Sequence, residues 1–122
     1  MKALLAIAFA TATAAAYADC PYPQAPTKIP DGATATLEEM VAGQKAVGEY
    51  QKAINSYTAC IDKELDDAIA KGGDKLKPEQ KQDMQRVEAQ KHNAAVDQLQ
   101  AVADRFNEQV KVYKARTADK KG

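Results

Sequence analysis

Tryptophan is absent from this 122-residue chain, and aromatic residues make up only 6% of it. Because large side chains supply much of the volume of a wide core, this scarcity argues against a β-sandwich or barrel and favours elongated helical packing. Neither sign of charge is in excess, since seventeen Lys and Arg balance seventeen Asp and Glu. A strongly basic nucleic-acid binder is therefore not expected, and the length allows one domain.

Histidine and cysteine are also scarce, with one and two copies respectively. One histidine is too few for a carboxylate-bridged di-iron bundle, and zinc clusters need more Cys or His than this chain contains. The haem-attachment pattern C-x-x-C-H is missing, and no strand is predicted to precede a phosphate-binding glycine loop. The sequence therefore predicts a protein that is not an enzyme and that has no cofactor and no metal site.

The first eighteen residues have the pattern of a secretory signal peptide. Lys2 supplies the positive charge, residues 3–16 form an apolar run, and residues 16–18 (Ala-Tyr-Ala) place small side chains at the cleavage positions. We expect cleavage after Ala18 and a soluble periplasmic or secreted product with no stable membrane anchor. A lipid anchor on Cys20 is the alternative, but an acidic residue precedes that cysteine where lipid attachment favours a small one.

Cys20 and Cys60 are the only cysteines in the chain. In an oxidising compartment such a pair is expected to form one intramolecular disulfide, whereas a redox pair would have C-x-x-C spacing. The predicted Cys20–Cys60 bond closes a loop of about 40 residues and contributes ~4 kcal/mol of stability in the chain-entropy description.

Residues 19–35 are predicted to form an extended N-terminal arm. Four of the five prolines of the chain lie in it, and Pro30-Asp31-Gly32 ends it in a turn. Proline fixes the backbone φ angle and removes a hydrogen-bond donor, so this stretch favours polyproline-like backbone over a helix or a central strand.

Two long helices are predicted after the arm. Thr36 and Glu39 have the spacing of a capping box, and helix one extends over about residues 36–70 before a Gly-Gly pair ends it. Pro78 suits the first position of helix two, which extends over about residues 78–116. The short connection makes the helices antiparallel, so the predicted fold is an all-α helical hairpin (36–116) followed by a basic tail at 117–122. The apolar stripes are Leu37, Met40, Val41, Val47, Ile54, Ile61, Leu65 and Ile69 in helix one, and Met84, Val87, Ala95, Leu99, Val102, Phe106, Val110 and Tyr113 in helix two.

The predicted disulfide determines where the arm runs. Cys60 lies about 36 Å along helix one from its start, and Cys20 reaches it only if the arm, with its ~50 Å reach, runs back along that helix. We therefore expect the arm to form a third packed layer; a leader tethered only at Cys20 is the alternative. The expected contacts are Tyr22 with Tyr57, and Ile29 with Gly43 and Ala46.

The only histidine, His92, lies at the margin of the apolar stripe of helix two. A histidine at this position is a candidate general base or metal ligand, but the preferred interpretation is a helix-face side chain hydrogen-bonded to Glu88 or Tyr57. The acidic run near the end of helix one is read in the same way, as a solvated face, with a weak cation site as the alternative. Its members are Asp62, Glu64, Asp66 and Asp67.

Basic residues concentrate at the C-terminal end of the chain. An antiparallel hairpin places them beside the start of helix one. A solvated helix end is the preferred interpretation, and contact with anionic lipid, peptidoglycan or an acidic protein is the alternative. The residues are Lys111, Lys114, Arg116, Lys120 and Lys121.

Two resemblances rest on short segments. The first is carried by Cys20-Pro21, Ile29-Pro30-Asp31-Gly32, Ala33-Thr34, Glu39-Met40, Val47, Tyr50, Tyr57 and Cys60. This combination resembles a group of small secreted proteobacterial proteins of unknown function, which implies a periplasmic helical protein and no particular activity. Residues 76–82 (Leu-Lys-Pro-Glu-Gln-Lys-Gln) resemble the L-T-x-x-Q segments of Spy/CpxP-like periplasmic chaperones, with Lys77 in place of the threonine and one copy instead of two.

Secretion, long helical faces and the missing catalytic groups together predict a non-enzymatic module that acts through a protein partner. The partner is not identifiable from the sequence. A holdase-type chaperone that binds exposed apolar segments is the alternative function. Two helices and an arm bury little surface, so a homodimer that forms a four-helix bundle is an alternative to a monomer.

Overall fold

The structure is a computed structural model that describes residues 20–121. Within that range two helices, α1 (Leu37–Gly72) and α2 (Pro78–Ala118), pack as an antiparallel hairpin, and no strand is present. Short 3-10 turns at Gly73–Lys75 and Asp119–Lys121 follow the two helices. The predicted signal peptide and its cleavage after Ala18 lie outside the described residues.

Helix α1 begins at the predicted capping box. The Thr36 hydroxyl accepts a hydrogen bond from the Glu39 N–H at 3.1 Å, and the Glu39 carboxylate accepts one from the Thr36 N–H at 2.7 Å. Both bonds satisfy amide groups that have no partner within the helix. The helix ends where Gly73 adopts a positive φ of 48°, two residues beyond the predicted end.

Helix α2 begins with Pro78 at its first position, as predicted, and the Gln80 side chain accepts a hydrogen bond from the Lys77 N–H at 2.9 Å. The helix continues to Ala118, so part of the segment predicted as a basic tail from residue 117 is helical. The Thr117 hydroxyl donates back to the Tyr113 carbonyl at 2.9 Å, one turn earlier in the same helix.

The core lies along the line where the two helices and the arm meet. Ile54 of α1 and Val102 of α2 are fully buried at its centre. Around them are two adjoining clusters of buried side chains. The first contains Tyr50, Ile54, Tyr57, Ile61, Ala95 and Val102, and the second contains Ala35, Met40 and Phe106.

Three residues of the predicted apolar stripes are exposed and not buried in the core. Leu37 and Val41 are 64% and 55% exposed, and Val87 is 40% exposed. The physical reason is helical phase: one residue step turns a side chain by about 100°, so Val41 points well away from the buried Met40 beside it. No part of the described chain covers that side of α1.

The arm is a third layer, which confirms the prediction from reach. The Cys20–Cys60 disulfide joins it to α1 with a Cα–Cα distance of 5.8 Å. The Tyr22 ring meets the Tyr57 ring edge-on, with 5.1 Å between the centroids. Further along, Ile29 packs against both core clusters.

Gly43 lets the arm approach α1 closely. A Cβ atom at this position would lie 2.7 Å from the Pro30 ring and 2.9 Å from the Phe106 ring. The arm residue that contacts Gly43 most closely is thus Pro30, the neighbour of the predicted Ile29. The arm and α2 therefore meet at this glycine, which explains its place inside a long helix despite its low helix propensity.

Loss of the disulfide should destabilise the protein strongly. Reduction, or the Cys20→Ser/Cys60→Ser double variant, removes the loop constraint of ~4 kcal/mol and should lower the melting temperature by about 15–30 °C. Thermal unfolding followed by circular dichroism of oxidised, reduced and double-variant protein measures this. Equal melting temperatures in all three would show that the disulfide adds nothing to stability.

Two glycines of α1 should respond to alanine in opposite directions. Gly48→Ala meets no atom within 4 Å and should raise the free energy of unfolding by up to ~1 kcal/mol, through helix propensity. Gly43→Ala should lower the free energy of unfolding. Overpacking against Pro30 and Phe106 costs ~1–3 kcal/mol, which outweighs the gain in helix propensity. Denaturant unfolding of both variants tests the arm contact. An increase in stability for both would contradict it.

Candidate functional site

One cluster of ionisable side chains bridges the two helices. His92 and Glu88 lie one turn apart on α2, and Asp62 lies opposite them on α1. The His92 Nδ1 atom is 3.8 Å from a Glu88 carboxylate oxygen and 3.9 Å from an Asp62 carboxylate oxygen. One ligand atom from each of the three residues lies within 4.8 Å of the others. We call these residues the interhelical triad.

Glu88 is the most enclosed member of the interhelical triad, with 18% of its side chain exposed. Its Oε1 atom is inaccessible to water and has no hydrogen-bond partner among the described residues. The neighbouring Asp62 carboxylate raises the pKa of Glu88, and burial raises it further, while His92 opposes both effects. Two carboxylates therefore lie close together at this point, and a buried oxygen of one of them, Glu88, has no donor.

The structure changes the predicted surroundings of His92. Glu88 is near the imidazole as expected, but at a distance too long for a direct hydrogen bond. The residue that faces it across the hairpin is Asp62, not Tyr57. Tyr57 is buried in the core and contacts Tyr22 of the arm.

The acidic run of α1 is not a single solvated face. The Glu64 carboxylate accepts a hydrogen bond from the Cys20 N–H at 3.2 Å and so holds the start of the described arm. Asp67 pairs with Lys63 at 2.7 Å on the exposed side of the helix. Asp62 lies beside His92 of α2, so the members of the run make different contacts and do not form one cation site.

Sequence reasoning missed the contact between Asp62 and the His92 face, although a signal for it was present. Helix α1 ends at residue 72 and α2 begins at residue 78, so residue 62, ten before the end, faces residue 88, ten after the start. An antiparallel register worked out in this way places Asp62 opposite Glu88. The predicted end of helix one at about residue 70 was too early to reveal the match.

A second candidate site is an apolar groove at the open end of the hairpin, where α1 begins and α2 ends. We call it the open-end groove. Leu37 and Val41 stand exposed on its α1 side, and Lys114 lies on its α2 side. The groove encloses about 390 Å³. Its remaining lining residues are Met40, Gln44, Phe106, Asn107, Val110 and Tyr113.

The basic C-terminal end has a structural role that the sequence did not indicate. The Arg116 guanidinium donates hydrogen bonds to the carbonyl of Gly32, at 3.1 Å, and to that of Ala35. It also lies over the Tyr113 ring, 5.2 Å from the centroid. Lys111 pairs with Glu108 of the same helix at 2.9 Å. Two of the five predicted basic residues are thus engaged within the chain.

In the described part of the chain, neither helix has an apolar stretch long enough to cross a bilayer. Comparison with known proteins finds no matching family model, no similar curated protein and no similar solved structure. The resemblances to small secreted proteobacterial proteins and to Spy/CpxP-like chaperones therefore stay predictions.

Arg116→Ala should destabilise the corner between the arm and α1. The variant leaves two part-buried carbonyls without their charged donor, a loss of ~1–3 kcal/mol in the free energy of unfolding. Lys114→Ala, one half-turn away and exposed, is the control and should change stability by less than ~0.5 kcal/mol. Chemical denaturation measures both. Equal effects would contradict a structural role for Arg116.

Proposed function

We propose that this protein is a non-enzymatic interaction module that works outside the cytoplasm, in the periplasm or after secretion, and binds a protein partner. The observation that carries the proposal is the open-end groove. Leu37 and Val41 are the two most exposed large hydrophobic residues of the described chain, and they stand beside each other on that groove. Adjacent exposed apolar side chains next to a cleft are typical of interaction sites.

The disulfide supports the compartment. A Cys20–Cys60 bond joins the arm to α1, and structural disulfides of this kind persist in oxidising, extracytoplasmic surroundings. The signal-peptide pattern of residues 1–18 points the same way and remains a prediction.

The size of the open-end groove favours one specific partner over a broad range of clients. Its volume of about 390 Å³ is near the lower end of the ~300–1,000 Å³ range of small-molecule pockets, which suits one or a few anchoring side chains. The other exposed large hydrophobic residues lie elsewhere: Tyr22 is on the arm, and Val87, Val96 and Val112 are on α2. A holdase would be served better by a continuous apolar surface, so we keep that function as the second candidate.

Crosslinking in living cells tests the proposal at residue level. A photoreactive amino acid at position 41 should trap one dominant protein species, and the Leu37→Glu change should abolish the product. The same photoreactive residue at position 112 is the control, because Val112 is 40% exposed on the same hairpin but outside the groove.

Three other results are informative. A product of twice the mass of the chain would make the partner a second copy, that is, a homodimer. A broad smear of unrelated envelope proteins, together with suppressed aggregation of a denatured client, would favour the holdase. Equal products from positions 41 and 112, or none from either, would contradict a specific interaction at the open-end groove.

A further inference from the structure

We propose that the interhelical triad of Asp62, Glu88 and His92 binds one divalent transition-metal ion, with Zn²⁺ as the reference ion, and that the ion joins α1 to α2. This inference is independent of the open-end groove and of any partner. It departs from the sequence-based expectation of no metal site, which rested on the small number of histidines and cysteines.

The donor set suits such an ion. One imidazole nitrogen and two carboxylate oxygens are ligands that Zn²⁺ and its neighbours in the first transition series accept. Glu88 and His92 are four residues apart, a spacing that places two side chains on one face of a helix and recurs in helical zinc sites. Asp62 completes the set from the opposite helix.

The distances are close to those of a bound state. Ligand atoms held at ~2.1 Å from a tetrahedral ion lie about 3.4 Å from one another. The measured separations from His92 Nδ1 are 3.8 Å to Glu88 and 3.9 Å to Asp62, so each needs to shorten by only a few tenths of an ångström. Asp62 is exposed, and His92 is partly exposed, so small side-chain rotations can make this adjustment.

The state of Glu88 is the second observation that points to a cation. Its Oε1 atom is closed off from water, lacks a hydrogen-bond donor and faces the imidazole. A buried carboxylate oxygen without a donor is costly, and a second carboxylate beside it adds repulsion. A divalent ion bound by the three side chains would coordinate Oε1 of Glu88. It would also neutralise the repulsion between the two carboxylates.

The chemistry of the donors also limits the ion. Ca²⁺ and Mg²⁺ prefer sites built entirely of oxygen ligands, so an imidazole in the set disfavours both. Sulfur does not contribute, because the nearest cysteines, Cys20 and Cys60, are joined to each other. Three protein ligands leave at least one coordination position for water or for a donor from another molecule.

The test uses oxidised, untagged protein and Zn²⁺ itself as the probe. Calorimetric titration should show one Zn²⁺ per chain, and Zn²⁺ should raise the melting temperature in a concentration-dependent way, because it binds only the folded arrangement. His92 is the only histidine, so its imidazole resonances in the NMR spectrum report the site directly and should shift on binding.

Matched variants distinguish Zn²⁺ binding at the interhelical triad from binding by any acidic surface. Asp62→Asn and His92→Gln should each weaken Zn²⁺ binding by about tenfold or more. Asp67→Asn, the same change on the exposed side of α1 where Asp67 pairs with Lys63, should leave binding unchanged. Glu88→Gln should keep the apo protein at least as stable, since it removes one of two facing carboxylates, yet it should remove the Zn²⁺-induced rise in melting temperature.

Several outcomes would overturn the proposal. Equal binding by Asp62→Asn and the unchanged protein would mean that the ion does not bridge the helices. Binding of Mg²⁺ or Ca²⁺ as tight as that of Zn²⁺ would indicate a non-selective acidic surface. An unshifted His92 resonance at saturating Zn²⁺ would place the ion elsewhere, and the absence of any Zn²⁺ binding would overturn the proposal outright.

Discussion

The structure depends on the N-terminal arm being fastened at both ends. At one end the Cys20–Cys60 disulfide joins the arm to the middle of the hairpin, and at the other the Arg116 guanidinium bonds the carbonyls of Gly32 and Ala35. Two helices alone meet along a single line and enclose little volume, whereas a third element turns that line into a core. The burial of Tyr50 beneath the arm is a result of this arrangement.

Two glycines allow the arm to approach the helices closely. Gly43 brings the Pro30 ring against α1, and Gly32 brings the end of the arm against α2. A Cβ atom on Gly32 would collide with the Gln109 carbonyl oxygen, while the Gly32 N–H donates to the Gln109 side chain at 2.9 Å. The arm is therefore held by backbone contact as well as by its apolar side chains.

Two features of the hairpin do not serve its own stability. One is the open-end groove, where Leu37 and Val41 are exposed although each would gain by burial. The other is the interhelical triad, where the carboxylates of Glu88 and Asp62 come together. Local rules of folding would place apolar residues inside and keep like charges apart, so departures from these rules are where a functional contact is expected. The two features lie at different places along the hairpin, and a partner and a metal ion could thus be bound at once.

Most of the architecture was readable from the sequence, because it depends on local rules. The Thr36 capping box, Pro78 at the start of α2 and the pairing of the only two cysteines each involve few choices, and all three are present in the structure. The path of the arm followed from the predicted disulfide and the reach of the chain. The exposure of Leu37 and Val41 was missed, because an apolar residue near a helical stripe is assigned to the core unless the position of the neighbouring helix is known.

The sequence by itself thus determined the two helices, their antiparallel arrangement and the strapped arm, since helix signals and a covalent bond act over short distances or without regard to packing. Tertiary structure alone decided which side of each helix faces its neighbour. That choice depends on register, and a shift of one turn would have separated Asp62 from Glu88 and His92. The same packing left the open-end groove uncovered and directed Arg116 onto the arm, because side chains far apart in sequence meet only when the helices dock.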